Sequence, residues 1–350
     1  MQFEKLQHKA LAFIIVVCVL AKIVSLILLP QEAYNDALFH IFTAKQIIAA
    51  QTFDLTTIGV PPPFYYASLG TLFLLSGLPI DVVFAKVFGL AMLFLQLSLA
   101  FVVLKKIFQE NFLPALAFFV AFPWVTRFTS TAYPESMTIV FVLAGIFLML
   151  KLNEKKETSF ADVLPLSFVI GAMSLSKLNG TILVPAFVLS TIFLLYKKTF
   201  KKTIVAFIIL TLFLSSFWFA LNYIKFGQFD RHLEQDISDF GAETGFSIQS
   251  IAQNLPFYYL YFWDFPNQSA FGAGSFLQGI DFWQAAVFFS IITVPLFAML
   301  FTGTRKVFLQ KNYLSVLLLF GIFLAFIPVV QRIAYYRLII PAVPFFAILT

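Results

Sequence analysis

Apolar runs long enough to cross a bilayer recur along this chain, and they leave room for few other architectures. A helix crosses about 30 Å of hydrocarbon in roughly 17 to 25 residues. Runs of that order or slightly shorter extend from Ala10 to Leu29, Val82 to Leu104, Phe112 to Phe128, Met137 to Leu150, Val163 to Leu178, Thr181 to Tyr196, Ile204 to Ile224, Phe282 to Phe301 and Tyr313 to Val330, and a further run opens near Leu338. With 61% hydrophobic and 11% charged residues over 350 positions, the composition belongs to a polytopic membrane protein rather than to two or three soluble domains. The expected fold class is therefore all-α, with about ten transmembrane helices in a single integral membrane domain spanning residues 1–350.

The apolar stretch Phe64 to Leu78 decides the topology. It is either a short span or a helix lying at the interface, and the two readings invert everything downstream. With it on the surface and the N-terminus inside, Lys5, Lys9, Lys105, Lys106, Lys151, Lys155, Lys156, Lys197, Lys198, Lys201, Lys202, Arg305, Lys306 and Lys311 face the cytoplasm, the majority of the 23 basic residues. If it crossed, the KK, KLNEKK and KKTFKK turns would move outside, against the positive-inside bias. The surface placement also gathers most acids on the outer face, among them Glu32, Asp36, Asp54, Glu135 and the cluster from Asp230 to Glu243. That face is the periplasm, the cell exterior or, in a eukaryote, the ER lumen, so the expected location is the plasma membrane or the ER membrane. The first span lacks a small-residue cleavage signal and reads as a retained anchor.

Net charge +6 arises from these loop clusters and implies no nucleic acid, and the single cysteine, Cys18, excludes an intrachain disulfide. Two outer loops are long, residues 30–81 and 225–281, and both are aromatic rather than uniformly polar. Long loops of that kind are functional more often than not.

The first loop carries the densest chemistry. Asp36 and His40 stand four apart and share one side of a short helix, while Ala37, Ile41, Ala44 and Ile48 supply an apolar side for lying on the bilayer. A partly desolvated carboxylate there suits proton removal from a hydroxyl, although Asp36 serves equally as a helix cap. The prolines of VPPPFYY then turn the chain and bring Tyr65 and Tyr66 to headgroup level, as belt residues first and substrate contacts second. FPWVTRFTSTAYPESM adds Arg127 and Glu135; the proline before Glu135 opens the next helix, where an acid also favours the helix dipole. Lys177 and Asn179 occupy another outer turn, and QRIAYYR supplies Arg332 and Arg337. Singly these cations read as interfacial anchors, and together they suit phosphate. Nucleotide-binding, zinc-hydrolase and serine-hydrolase signatures are missing, and His232 sits in a stretch that reads as solvated loop.

An acid after the first span, a PPxYY-like element, then an Arg and a YPE turn two spans on is a layout that resembles the GT-C superfamily of membrane glycosyltransferases. Within it, the layout is similar to the protein O-mannosyltransferases and the aminoarabinose transferases of lipid A. The likeness covers about the first 200 residues, with the late RxxxxR element beyond them. Asn35-Asp36 stands where relatives carry Asp-Glu, so Asp36 alone is carried over as the acid; NDALFH also resembles the DAxxH element of oligosaccharyltransferases, but their WWDYG motif is missing and FWDF, Phe262 to Phe265, only echoes it.

The resemblance implies a polyprenyl-phosphate sugar as donor, a lipid, glycan or protein hydroxyl as acceptor, and a site on the non-cytoplasmic face. It implies Asp36 as general base, Glu135 positioning the acceptor or, with Asp36, a divalent cation such as Mg or Mn, and His40 orienting Asp36 or touching the donor. Lys177, Arg332, Arg337 and Arg127 then stabilise the leaving phosphate, with Tyr65, Tyr66 and Asn179 at the substrate. Relatives carry more helices and the last run is short, which predicts a truncated or compact chain. The rival reading is a transporter or lipid flippase, which needs ionisable groups at mid-membrane. Lys22, long enough to snorkel, is its one candidate.

Overall fold

The computed structural model describes residues 2–28, 40–46, 63–77, 82–121, 134–196, 198–227, 312–331 and 342–349, and these are helical with no strand among them. After α1 (Gln2–Leu28) and a helical segment at 40–46 come α2 (Phe64–Ser76), α3 (Val82–Phe108), α4 (Leu113–Ala121), α5 (Pro134–Glu154), α6 (Phe160–Ser176) and α7 (Leu178–Leu195). They are followed by α8 (Lys201–Phe226), α9 (Tyr313–Gln331) and α10 (Val343–Leu349). Among the described residues, three stretches are long and apolar enough to cross a membrane: Lys86–Asn111, Pro134–Glu154 and Lys201–Phe226. The protein is an integral membrane protein of all-α architecture. The runs expected at 282–301 and the second long outer loop lie outside the described residues.

Helix starts follow the sequence signals. Pro134 opens α5, its missing N–H being one that a first turn leaves unpaired anyway, and Glu135 stands in that first turn at the positive end of the helix dipole. α6 and α7 are separated by one residue, Lys177, whose extended backbone ends one helix and begins the next. Gly180 makes so tight a corner possible: a Cβ there would sit 2.0 Å from the carbonyl oxygen of Met173. α5 forms the centre of the bundle, packed against α3, α6 and α7, while α8 lies on α6 and α9 on α7.

Hydroxyls stitch these helices together where lipid offers no hydrophobic drive for association. Thr138 and Ser176 meet at 2.9 Å, Ser174 and Thr181 at 3.0 Å, Ser174 donates to the Ser215 carbonyl at 2.9 Å, and Thr211 donates to Ser167 at 3.0 Å.

The two ends of the bundle can be told apart from contacts alone. Lys106 pairs with Glu154 at 2.7 Å, Lys155 pairs with Asp162, and Lys198 donates to the carbonyl of Asn153. These lysine-rich turns share one end. At the other end, the Lys86 ammonium donates to the carbonyl of Ile27 at 2.9 Å. The chain therefore leaves α1 and enters α3 on the same side. α2 fits that result, since 13 residues rise only about 20 Å as a helix, short of about 30 Å of hydrocarbon.

Three expectations from the sequence change. Ile41 and Ala44 belong to the protein core, not to a lipid-facing side. Tyr65 and Tyr66 are buried, not belt residues at headgroup level. Lys22 does not snorkel: it is 1% exposed, and its ammonium has no hydrogen-bond partner among the described residues. In each case the side chain is enclosed by protein where the sequence pattern, blind to neighbours, pointed to lipid or headgroups.

Candidate functional site

The end opposite the lysine-rich turns holds Glu135, Lys177, His40, Tyr65 and Tyr66, the described members of the set that the sequence singled out. Glu135 is 0% exposed, and its Oε1 accepts a hydrogen bond from the ammonium of Lys177, which arrives from the break between α6 and α7. That break points Lys177 back across α5 instead of along a helix surface. Burying a carboxylate without a counter-charge costs several kcal/mol, so the partner explains how Glu135 stays there. Lys177 keeps part of its side chain exposed, at 24%, and so the pair has one dry and one accessible member.

Next to Glu135, the Ser136 carbonyl accepts a hydrogen bond from Gln96 of α3 at 2.7 Å, and Gln96 is fully buried. The sequence reading passed over Gln96. A lone amide in the run from Val82 to Leu104 was the available signal, because polar groups inside spans are costly and tend to be used.

A second cluster surrounds His40. Its Nδ1 lies 2.6 Å from the hydroxyl of Tyr66, across 26 residues of sequence, and its ring stands 5.8 Å from that of Tyr65 in an edge-on arrangement. Tyr65 in turn packs edge-on against Phe88 near the start of α3, and Phe64 against Phe141 of α5, at 5.4 Å between centroids. These contacts tie the 40–46 segment and α2 to the Glu135 end of the bundle. The Tyr66 hydroxyl and Nδ1 thus fix the orientation of the imidazole, whichever of the two donates.

Of the predicted site residues, the structure thus joins Glu135 to Lys177 and His40 to Tyr65 and Tyr66. Asn179 lies in the first turn of α7, two residues past Lys177. Asp36, Arg127, Arg332 and Arg337 lie outside the described residues. The Glu135 Oε1 accepts from the Lys177 ammonium, and no group of three or more His, Cys, Asp or Glu suited to a metal ion occurs among the described residues, which do not include Asp36, the other expected ligand.

No protein-family model matches the sequence, and no curated protein matches it. Solved structures do. A crystal structure of ArnT from Cupriavidus metallidurans bound to undecaprenyl phosphate superposes with a TM-score of 0.58 at 14% identity, covering 97% of this chain and 58% of that one. The apo crystal structure of the same protein gives a TM-score of 0.55 at 15% identity, with the same coverage of both chains. The chain has the ArnT fold. It spans 58% of the length of those chains. The ArnT fold agrees with the all-α membrane architecture expected from the apolar runs.

Proposed function

We propose that this protein is a GT-C-type glycosyltransferase that moves a sugar from a polyprenyl-phosphate donor to a hydroxyl acceptor on the non-cytoplasmic side. The observation that carries the reading is the placement of Glu135, Lys177, His40 and Tyr66. These residues were singled out from sequence by chemistry and motif, and they sit at the bundle end away from the lysine-rich turns. The ArnT fold, seen in one crystal structure with undecaprenyl phosphate bound, supports a polyprenyl-linked substrate.

In the proposed reaction the acceptor oxygen attacks the anomeric carbon, and the bond from that carbon to the phosphate oxygen breaks with its electron pair leaving on the phosphate. The acceptor proton goes to Asp36. Arg127, Arg332 and Arg337 neutralise the departing phosphate. Lys177, engaged with Glu135, holds that carboxylate in place to position the acceptor, and contributes to phosphate binding through its accessible side. His40, oriented by Tyr66, orients Asp36 or touches the donor. No step is routed through a metal ion.

The deciding experiment incubates the purified protein with radiolabelled polyprenyl-phosphate hexoses and follows label into acceptor. A general base contributes about 10²- to 10⁴-fold, so Asp36→Asn should lose transfer by that factor while keeping its thermal unfolding profile. Full activity in Asp36→Asn removes the assignment of the base. Transbilayer movement of the donor without any label transfer would favour the flippase reading instead.

A further inference from the structure

At the lysine-rich end lies a cavity that the proposed transfer does not use. It is a shallow, open depression where α1 begins and α3 ends, of about 560 Å³, lined by His8, Lys105, Gln109, Glu110, Phe112 and Leu113. Its lining combines two basic side chains, one carboxylate and an apolar floor.

The backbone is shaped to bring these groups together. On an unbroken helix, residues five apart point about 140° away from each other, so Lys105 and Glu110 would face different surroundings. Instead α3 gives way to a 3₁₀ turn over Gln109–Asn111, and Gln109 takes a left-handed conformation with φ 54°, the one non-glycine positive φ among the described residues. A strained residue of this kind persists where the surrounding structure holds it, often at binding sites. Lys105 and Glu110, on either side of Gln109, line the same opening. Lys105 runs back over the Phe101 ring, its ammonium 5.5 Å from the centroid, with its stem along apolar surface and its charge at the membrane edge.

Location supplies the remaining constraint. The stretch Lys86–Asn111, long and apolar enough to cross a membrane, ends at this cavity, so a bilayer that it spans would meet the polar lining near its headgroups and Phe112 and Leu113 nearer its acyl chains. We propose that the cavity binds the head group of a zwitterionic phospholipid carrying a primary ammonium, with its phosphate on Lys105 and His8 and its ammonium on Glu110. A purely anionic head group would bring its charge against Glu110, and a soluble zwitterion would leave Phe112 and Leu113 unused. The inference does not depend on the transfer reaction, which lies at the other end of the bundle.

The test uses the full chain in nanodiscs of equimolar phosphatidylethanolamine and phosphatidylglycerol, released from the lipid and examined by native mass spectrometry for retained lipid. The intact protein should retain phosphatidylethanolamine over phosphatidylglycerol by about twofold to fivefold, the worth of one exposed ion pair. Glu110→Gln should erase that preference while still retaining phospholipid, and Lys105→Gln should lower retention of both lipids. Both side chains are exposed, so neither variant threatens the fold. Retention of the two lipids in their bilayer ratio by the unaltered protein, or a preference that survives Glu110→Gln, overturns the proposal.

Discussion

Lys177 and Glu135 are 42 residues apart in sequence and meet as an ion pair across the corner between α6 and α7, with the carboxylate wholly inside the protein. The contact joins two chain turns that the sequence placed on one face but not in touch. It also supplies the buried carboxylate with a charge-assisted hydrogen bond that offsets part of its desolvation.

Removing one member of this pair should be far worse than removing both. Lys177→Met removes the Lys177 ammonium from the buried Glu135 carboxylate, and we expect a loss of about 3–5 kcal/mol in stability. The double variant Glu135→Gln with Lys177→Met should recover most of that loss. Thermal unfolding of the purified proteins in detergent measures the cycle, and additive losses would show that the pair is not coupled.

The corner that delivers Lys177 depends on Gly180. Adding a methyl group there puts carbon 2.0 Å from the Met173 carbonyl, a backbone atom that cannot step aside. Gly180→Ala should cost more than about 3 kcal/mol, or prevent folding. Gly77→Ala provides the contrast: its φ of 65° disfavours a side chain, but no atom lies within 4 Å of the new Cβ. That variant should lose only about 1 kcal/mol. Equal melting temperatures for the two would contradict the packing argument.

Much of the architecture was legible because hydrocarbon imposes one rule on every span. The runs from Val82, Ile204 and Tyr313 appear as α3, α8 and α9, and Pro134 starts α5 ahead of Glu135 as the helix-start signals require. The surface placement of Phe64 to Leu78 followed from lysine distribution and agrees with the Lys86 contact to Ile27. Which apolar face meets lipid and which meets protein was not legible, since both environments are equally apolar to a sequence pattern. Tyr65, Tyr66, Ile41 and Ala44 all turned inward for that reason. The Lys177–Glu135 and His40–Tyr66 contacts depend on how distant helices pack, which no local spacing encodes.

The Tyr66 hydroxyl should matter more for activity than for stability. Tyr66→Phe removes one hydrogen bond, worth about 0.5–1.5 kcal/mol, and keeps the ring packing against Tyr65 at 5.4 Å. Without that bond the His40 ring loses the contact to Tyr66 that orients it, so transfer should fall by about tenfold, or about 1.4 kcal/mol of transition-state stabilisation. His40→Gln should fall by at least as much, and adding Tyr66→Phe to it should change little further. Kinetics of sugar transfer by the two single variants and the double variant decide whether they act as a unit.

The turn between α5 and α6 predicts how stability responds to acid. Lys155, the Ser159 N–H and the Ser159 hydroxyl all donate to the Asp162 carboxylate, with the two Ser159 contacts at 2.8 Å. The Lys155 hydrogen bond foremost, then those from Ser159, hold the Asp162 carboxyl down at about 2. Because the folded value lies below the ordinary one of about 3.9, the unfolded chain binds the proton more readily. The stabilisation is therefore complete above about pH 4 and is lost as the pH falls through the folded value of about 2. Asp162→Asn should lower the melting temperature at neutral pH, and below pH 4 it should flatten the decline seen in the unaltered protein. Melting curves of both proteins across that acid range check the sign, and parallel declines would remove Asp162 as the titrating group.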